Sequence, residues 1–116
     1  MNLKNEDQSY FVQITQLIKD EQVETFDKDK DIVDIIDSLL EKNINSNGFY
    51  IVDLGKIIKQ YTRWISLLPR VKPYYAVKCN PDSNILKTLK ILGTGFDCAS
   101  VNEIIEVRNI SELDSS

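Results

Sequence analysis

Pro73-Tyr74-Tyr75-Ala76-Val77-Lys78-Cys79-Asn80-Pro81 is the stretch that decides the fold. Apolar and aromatic residues 74–79 lie between two prolines and read as one short strand, because proline and asparagine punctuate such runs. The period then changes. Asp82 or Ser83 is placed to cap a helix in which Ile85, Leu86, Leu89 and Leu92 recur at helical spacing, and Gly93 sits where a helix stops. Residues 96–99 read as a further strand, leading into a last helix with Ile104, Ile105 and Arg108. Strands alternating with helices over short connections imply an α/β fold with parallel strands and helical crossovers.

The same alternation extends upstream. Phe49 to Val52 reads as a strand. Asp53 then caps a helix with Leu54, Ile57, Ile58, Tyr61, Trp64, Ile65 and Leu68 along one side, and Pro69 ends it. Trp64 is a packing residue on this reading. Asn43 to Gly48 form a loop rich in turn residues, preceded by an amphipathic helix from about Lys28 to Lys42. Ile32, Ile35, Ile36, Leu39 and Leu40 line that helix, with Asp27 or Asp29 as cap. The six acidic residues from Asp27 to Glu41 fit a solvated face better than a metal site. Residues 1–26 carry apolar patches at Tyr10-Phe11-Val12 and at Ile14, Leu17 and Ile18, compatible with a strand or a short helix. The chain thus divides into an extension with one amphipathic helix (1–48), an α/β region (49–110) and a tail (111–116).

Composition narrows the class. At 116 residues there is room for one small domain or part of a larger one, and 42% apolar with 28% charged residues is globular. A net charge of -4 without a basic cluster argues against nucleic acid and anionic membranes. No apolar run approaches the ~20 residues of a membrane span, and the amino terminus is too polar for a secretory signal. Cys79 and Cys98, the only cysteines, have no CxxC spacing and read as small buried or reduced thiols in strands. With no histidine, no cluster has zinc spacing, so no metal is expected. The cytoplasm is the expected compartment.

Lys78 is the residue to which chemistry attaches. An ammonium at the end of a buried strand is costly, and a desolvated lysine loses its proton and becomes a carbonyl-attacking amine. The competing reading is a lysine that snorkels into water. On a strand, Lys78 shares a face with Ala76 and Tyr74, while Tyr75 and Val77 face the helices. On the next strand Asp97 and Ala99 share one face, Cys98 and Ser100 the other. If Lys78 and Asp97 point the same way, small Ala76 and Ala99 leave room, and parallel strands ~4.8 Å apart bring the carboxylate within reach of the lysine. Ser100-Val101-Asn102-Glu103 fits a capping box, which accounts for Glu103 without chemistry.

Several separated motifs carry a resemblance from Phe49 to about Val107. They are Phe49-Tyr50-Ile51-Val52-Asp53-Leu54-Gly55, Arg63-Trp64, Leu68-Pro69-Arg70-Val71, Tyr74 to Asn80, and Gly93-Thr94-Gly95-Phe96-Asp97-Cys98-Ala99-Ser100. In this order they resemble the amino-terminal part of eukaryotic-type ornithine decarboxylases, within the pyridoxal-phosphate-dependent ornithine, lysine, arginine and diaminopimelate decarboxylases. Pattern alone leaves an open doubly wound sheet and a (β/α)8 barrel both possible. The resemblance implies the barrel, of the alanine racemase-like type. A whole barrel needs about 250 residues, so only its first βα units are expected here, as a fragment or a truncated product.

The resemblance also implies roles. Lys78 would hold pyridoxal 5'-phosphate through an imine, with Ala76 and Asp97 beside the cofactor and Glu103 near the lysine. The implied reaction turns ornithine into putrescine, the first polyamine. Family members are homodimers, and antizyme is a further implied partner. Antizyme inhibitors, inactive regulators of the same fold, typically carry a small residue where this chain has Asp97, so Asp97 favours the enzyme. Diaminopimelate and arginine decarboxylases usually lack the Phe96–Ser100 wording. A regulator without catalysis and an unrelated open α/β binding domain are the alternatives. The family's Gly-rich loop and arginine for the phosphate, its acid for the pyridine nitrogen, its substrate-binding aspartate and its catalytic cysteine have no match here. Cys79 and Cys98 are not that cysteine.

Overall fold

The computed structural model describes residues 3–17, 23–27, 29–42 and 47–112. Ile18, Lys28, residues 43–46 of the expected loop and residues 113–116 of the tail lie outside the described residues. The chain forms two packed units, Met1–Glu21 with Asp53–Ser116, and Gln22–Val52.

In the larger unit the element order is α1 (Leu3–Leu17), α3 (Leu54–Leu67), β1 (Tyr74–Ala76), a 3-10 turn (Val77–Cys79), α4 (Ser83–Leu92), β2 (Gly95–Asp97) and α5 (Val101–Glu112). α2 (Ile32–Lys42) belongs to the smaller unit. Among the described residues two helices, α1 and α2, precede residue 48. Within the open reading of residues 1–26, Leu3–Leu17 form a helix, with Ile14 buried and the Tyr10 ring set edge-on to Tyr61 at 6.2 Å.

The helix caps follow from the sequence. Asp53 accepts the Lys56 N–H at 3.2 Å and starts α3. Asp82 accepts from both Asn84 and Ile85 N–H groups and starts α4. Gly93 ends α4 with φ 87°, left-handed backbone that glycine adopts without strain, and its N–H bonds to the Lys90 carbonyl at 2.9 Å. Gly93→Ala should therefore lower stability by ~1–2 kcal/mol. Chemical denaturation of the chain checks this, and an unchanged midpoint would mean the cap bears no strain. The cap of α2 differs from expectation. Lys30 N–H bonds back to Asp27 carbonyl at 3.1 Å in a turn, so the helix begins later and Asp31, not Asp27 or Asp29, takes the Val33 N–H.

β1 and β2 pair in parallel, with Tyr74 opposite Gly95, Tyr75 opposite Phe96 and Ala76 opposite Asp97. Their helix-facing side chains build the core. Val77, Leu86 and Ile110 are buried, and Tyr75, Phe96, Cys98 and Val107 pack against them. In α5 the inward face is Val107 and Ile110, whereas Ile104 and Ile105 are exposed. Of these, only Val107 and Ile110 join the core cluster with Leu86 and Phe96.

Three expected strands are corrected: that of residues 96–99 runs only over Gly95–Asp97, leaving Cys98 and Ala99 outside the ladder. Phe49 to Val52 is irregular and exposed, with Tyr50 99% accessible. A strand exists only where its N–H and C=O groups find a neighbour, and among the described residues this segment has none. The strand from Tyr74 to Cys79 stops at Ala76, for reasons that concern Lys78 directly. A two-stranded parallel sheet with flanking helices is consistent with the start of a barrel and is the extent of sheet among the described residues.

Candidate lysine–aspartate site

Lys78 sits in the middle of the 3-10 turn, not on the strand, so it does not continue the face of Tyr74 and Ala76. The turn has three fasteners. Val77 is 0% exposed and holds the chain to the core. The Tyr75 hydroxyl donates to the Asn80 carbonyl at 3.1 Å, spanning the turn. The Asn80 side chain in turn accepts the Asp82 N–H at 3.1 Å, joining the turn to the capped start of α4. Lys78 itself is exposed, so the sequence expectation of a desolvated lysine is not met in this structure. Cys79 is exposed as well, so of the two readings for the cysteines it is the free thiol and not the small buried hydrophobe.

The neighbouring strand brings Asp97 alongside. Its backbone pairs with Ala76, two residues before Lys78, which fixes both groups to one end of a parallel ladder. Parallel strands run ~4.8 Å apart where Ala76 faces Asp97, and the ladder ends at that pair, so Lys78 leaves the sheet one turn position beyond Val77. Asp97 is exposed, and among the described residues its carboxylate takes part in no hydrogen bond or ion pair. Ala76 is half-buried beside it.

Beyond Asp97 the chain turns into α5 through a capping box. Ser100 Oγ accepts the Glu103 N–H at 3.2 Å, and the Glu103 carboxylate accepts the Ala99 N–H at 2.7 Å. Glu103 is thus engaged with backbone, as the capping reading expects. Cys98, half-buried between these groups, has its thiol pushed up first by burial and then by the negative charges of Glu103 and Asp97. Burial likewise raises the Tyr75 hydroxyl, and Cys79 adds to the effect, so it remains the protonated donor that the strap to Asn80 needs.

Sequence reasoning singled out Lys78, Asp97, Ala76 and Glu103 and missed Tyr75 and Asn80. The Asn80-Pro81-Asp82 run carried a turn signal for one of them. Nothing local marks a tyrosine hydroxyl that closes on a carbonyl five residues later. Trp64, read as a packing residue, is exposed, and its indole N–H donates to the Val71 carbonyl at 2.8 Å, tying the end of α3 to the following loop. A cleft of about 480 Å³ opens beside α3, α4 and β1, walled by Ile57, Tyr61, Trp64, Tyr74, Ile85 and Leu89. Neither Lys78 nor Asp97 lines it. No helix among the described residues is long and apolar enough to cross a membrane.

Comparison with known proteins attaches this arrangement to a family. Residues 54–113 match the family model described as pyridoxal-dependent decarboxylase, pyridoxal binding domain. The chain is 47% identical over 93 residues to the "Probable ornithine decarboxylase" of Dictyostelium discoideum, covering 79% of this chain and 20% of that protein. It is 47% identical over 81 residues to ornithine decarboxylase of Mus musculus, covering 70% and 18%. It is 58% identical over 59 residues to Decarboxylase flvG of Aspergillus flavus, covering 51% and 14%. The chain spans about a fifth or less of the length of these relatives. The paired β1–β2 ladder, the Lys78 turn and helices α3, α4 and α5 fall within the matched residues, and the chain belongs to the pyridoxal-dependent decarboxylases, resembling the amino-terminal portion of the eukaryotic ornithine decarboxylases.

Proposed function

We propose that these residues form the start of a (β/α)8 barrel in a cytoplasmic, homodimeric ornithine decarboxylase, with Lys78 as the amine that holds pyridoxal phosphate. The observation that carries the reading is the ladder pairing Ala76 with Asp97, because it ties the exposed Lys78 amine and a carboxylate without hydrogen-bond partners to one sheet end. These groups fit the aldehyde end of the cofactor, which needs a primary amine to join and a negative charge to favour the cationic joined state. Ala76, with its small side chain, leaves space beside them. When bound, pyridoxal phosphate supplies an electron-poor ring that takes up the charge left by departing carbon dioxide. The chain's own part is to present the Lys78 amine, to hold its proton near Asp97, and to yield the amine's place to the substrate. Glu103 completes the set of residues assigned to the site.

Ornithine as substrate and putrescine as product rest on the names of the relatives and on the Phe96–Ser100 motif. Decarboxylase flvG shares 58% identity over this region under a name that specifies no substrate, so a related diaminopimelate, arginine or lysine decarboxylase is the neighbouring reading. Antizyme is the proposed protein partner. A regulator without catalysis is disfavoured by the retained Asp97. Its test is Asp97→Ala in the complete polypeptide that carries these residues. Turnover should fall ~10- to 100-fold, the worth of one nearby charge on the Schiff-base lysine. Stability should move by less than ~0.5 kcal/mol, as the carboxylate is exposed and holds no structural bond. Equal activity in the variant would return Asp97 to an ordinary strand-end aspartate.

A further inference from the structure

Something must orient Asp97. As its carboxylate takes no hydrogen bond among the described residues, its direction is inherited from its own backbone. On the amino-terminal side that backbone is held by the ladder to Ala76. On the other side β2 has ended, and Cys98 and Ala99 cross to α5 outside any regular element. The crossing is closed by two reciprocal bonds: Ala99 N–H to the Glu103 carboxylate at 2.7 Å and Glu103 N–H to Ser100 Oγ at 3.2 Å. Ile104 N–H also reaches the Ser100 carbonyl at 3.2 Å, so Ser100 stands at the junction of the connection and the helix.

We propose that Ser100 is a positioning residue for the decarboxylase site, acting through Asp97 by closing the capping box that fixes the Asp97–Ala99 backbone. It touches neither cofactor nor substrate. The Ser100 hydroxyl orients the Glu103 backbone, Glu103 holds the Ala99 N–H, and the two bonds set the exit direction of the strand that bears Asp97. The inference rests on the functional reading above, and its test separates the two.

The experiment is a double-mutant cycle in the complete polypeptide, read as the dissociation constant for pyridoxal phosphate by absorbance titration. Ser100→Ala should weaken binding about five-fold, the size of a lost helix cap expressed as affinity. In an Asp97→Ala background the same substitution should change affinity by less than about 1.5-fold, because coupled residues are non-additive. Ser100→Gly guards against a folding defect. Glycine is nearly as good a cap for the helix, yet it lacks the oxygen that Glu103 N–H uses, so it should weaken binding while the melting midpoint stays near wild type. Ser100→Thr, which keeps the oxygen, should restore affinity. Equal weakening by Ser100→Ala with and without Asp97, or wild-type affinity in Ser100→Gly, overturns the positioning role. If Asp97→Ala alone leaves affinity and turnover untouched, the functional reading fails first.

Discussion

Lys78→Ala, made in the complete polypeptide, should remove the absorbance band of lysine-bound cofactor and lower turnover by on the order of a thousandfold or more. The size follows from the chemistry assigned to it. A carbonyl-attacking amine has no substitute within the turn, since Val77 is buried in the core and Cys79 is followed directly by Asn80 and Pro81. Stability should barely change. Lys78 is exposed, and among the described residues its ammonium holds no partner whose loss would leave a buried group unpaired. Denaturation midpoint and cofactor absorbance measured on one preparation separate the two effects. Retained absorbance in the variant removes Lys78 from the mechanism.

The second large effect concerns residues 1–116 on their own. They should release no carbon dioxide from ornithine above a Lys78→Ala control, even with saturating pyridoxal phosphate. Two paired strands cannot close a barrel, and among the described residues the second edges of β1 and β2 are unpaired. The outward faces are apolar and open: Leu67 is 67% exposed, Val101 71% and Ile104 55%. Lys78 stands in water, where it reacts with aldehydes only as an ordinary surface amine and where no wall excludes solvent from a developing charge. Turnover clearly above the control would show that copies of this chain assemble a working site, and the contribution ascribed to further strands would be wrong.

How much of this was legible depends on how local each signal is. α3 and α4 were readable because cap, apolar stripe and stop lie within one helix: Asp53 to Leu67, and Asp82 to Gly93. The β1–β2 pairing followed from the helix between them. By contrast, Phe49 to Val52 has strand composition, but composition cannot supply a partner, and the segment is irregular and exposed here. α1 looked ambiguous because Tyr10, Phe11 and Val12 are consecutive. Its helicity is supported by packing against α3 and α4, distant in sequence.

The site divides in the same way. Lys78 and Asp97 were identifiable as motif residues, and the strand register sets Asp97 opposite Ala76, two residues before Lys78. The turn that carries Lys78 was not legible. It depends on Val77 being taken into a core with Leu86 and Ile110, and on a tyrosine hydroxyl reaching a carbonyl five residues on. Alternation arguments hold only while the ladder lasts, and here it lasts three residues.

The central claim, that Lys78 is the cofactor-holding amine of a pyridoxal-dependent decarboxylase, is tested most directly by borohydride reduction of the complete, cofactor-bound polypeptide. Reduction fixes the cofactor to whichever amine carries it, and peptide mapping by mass spectrometry identifies that residue. One stoichiometric adduct is expected, on the peptide containing Tyr74 to Asn80, at Lys78. An adduct on another lysine, or substoichiometric labelling spread evenly over the exposed lysines, would contradict it.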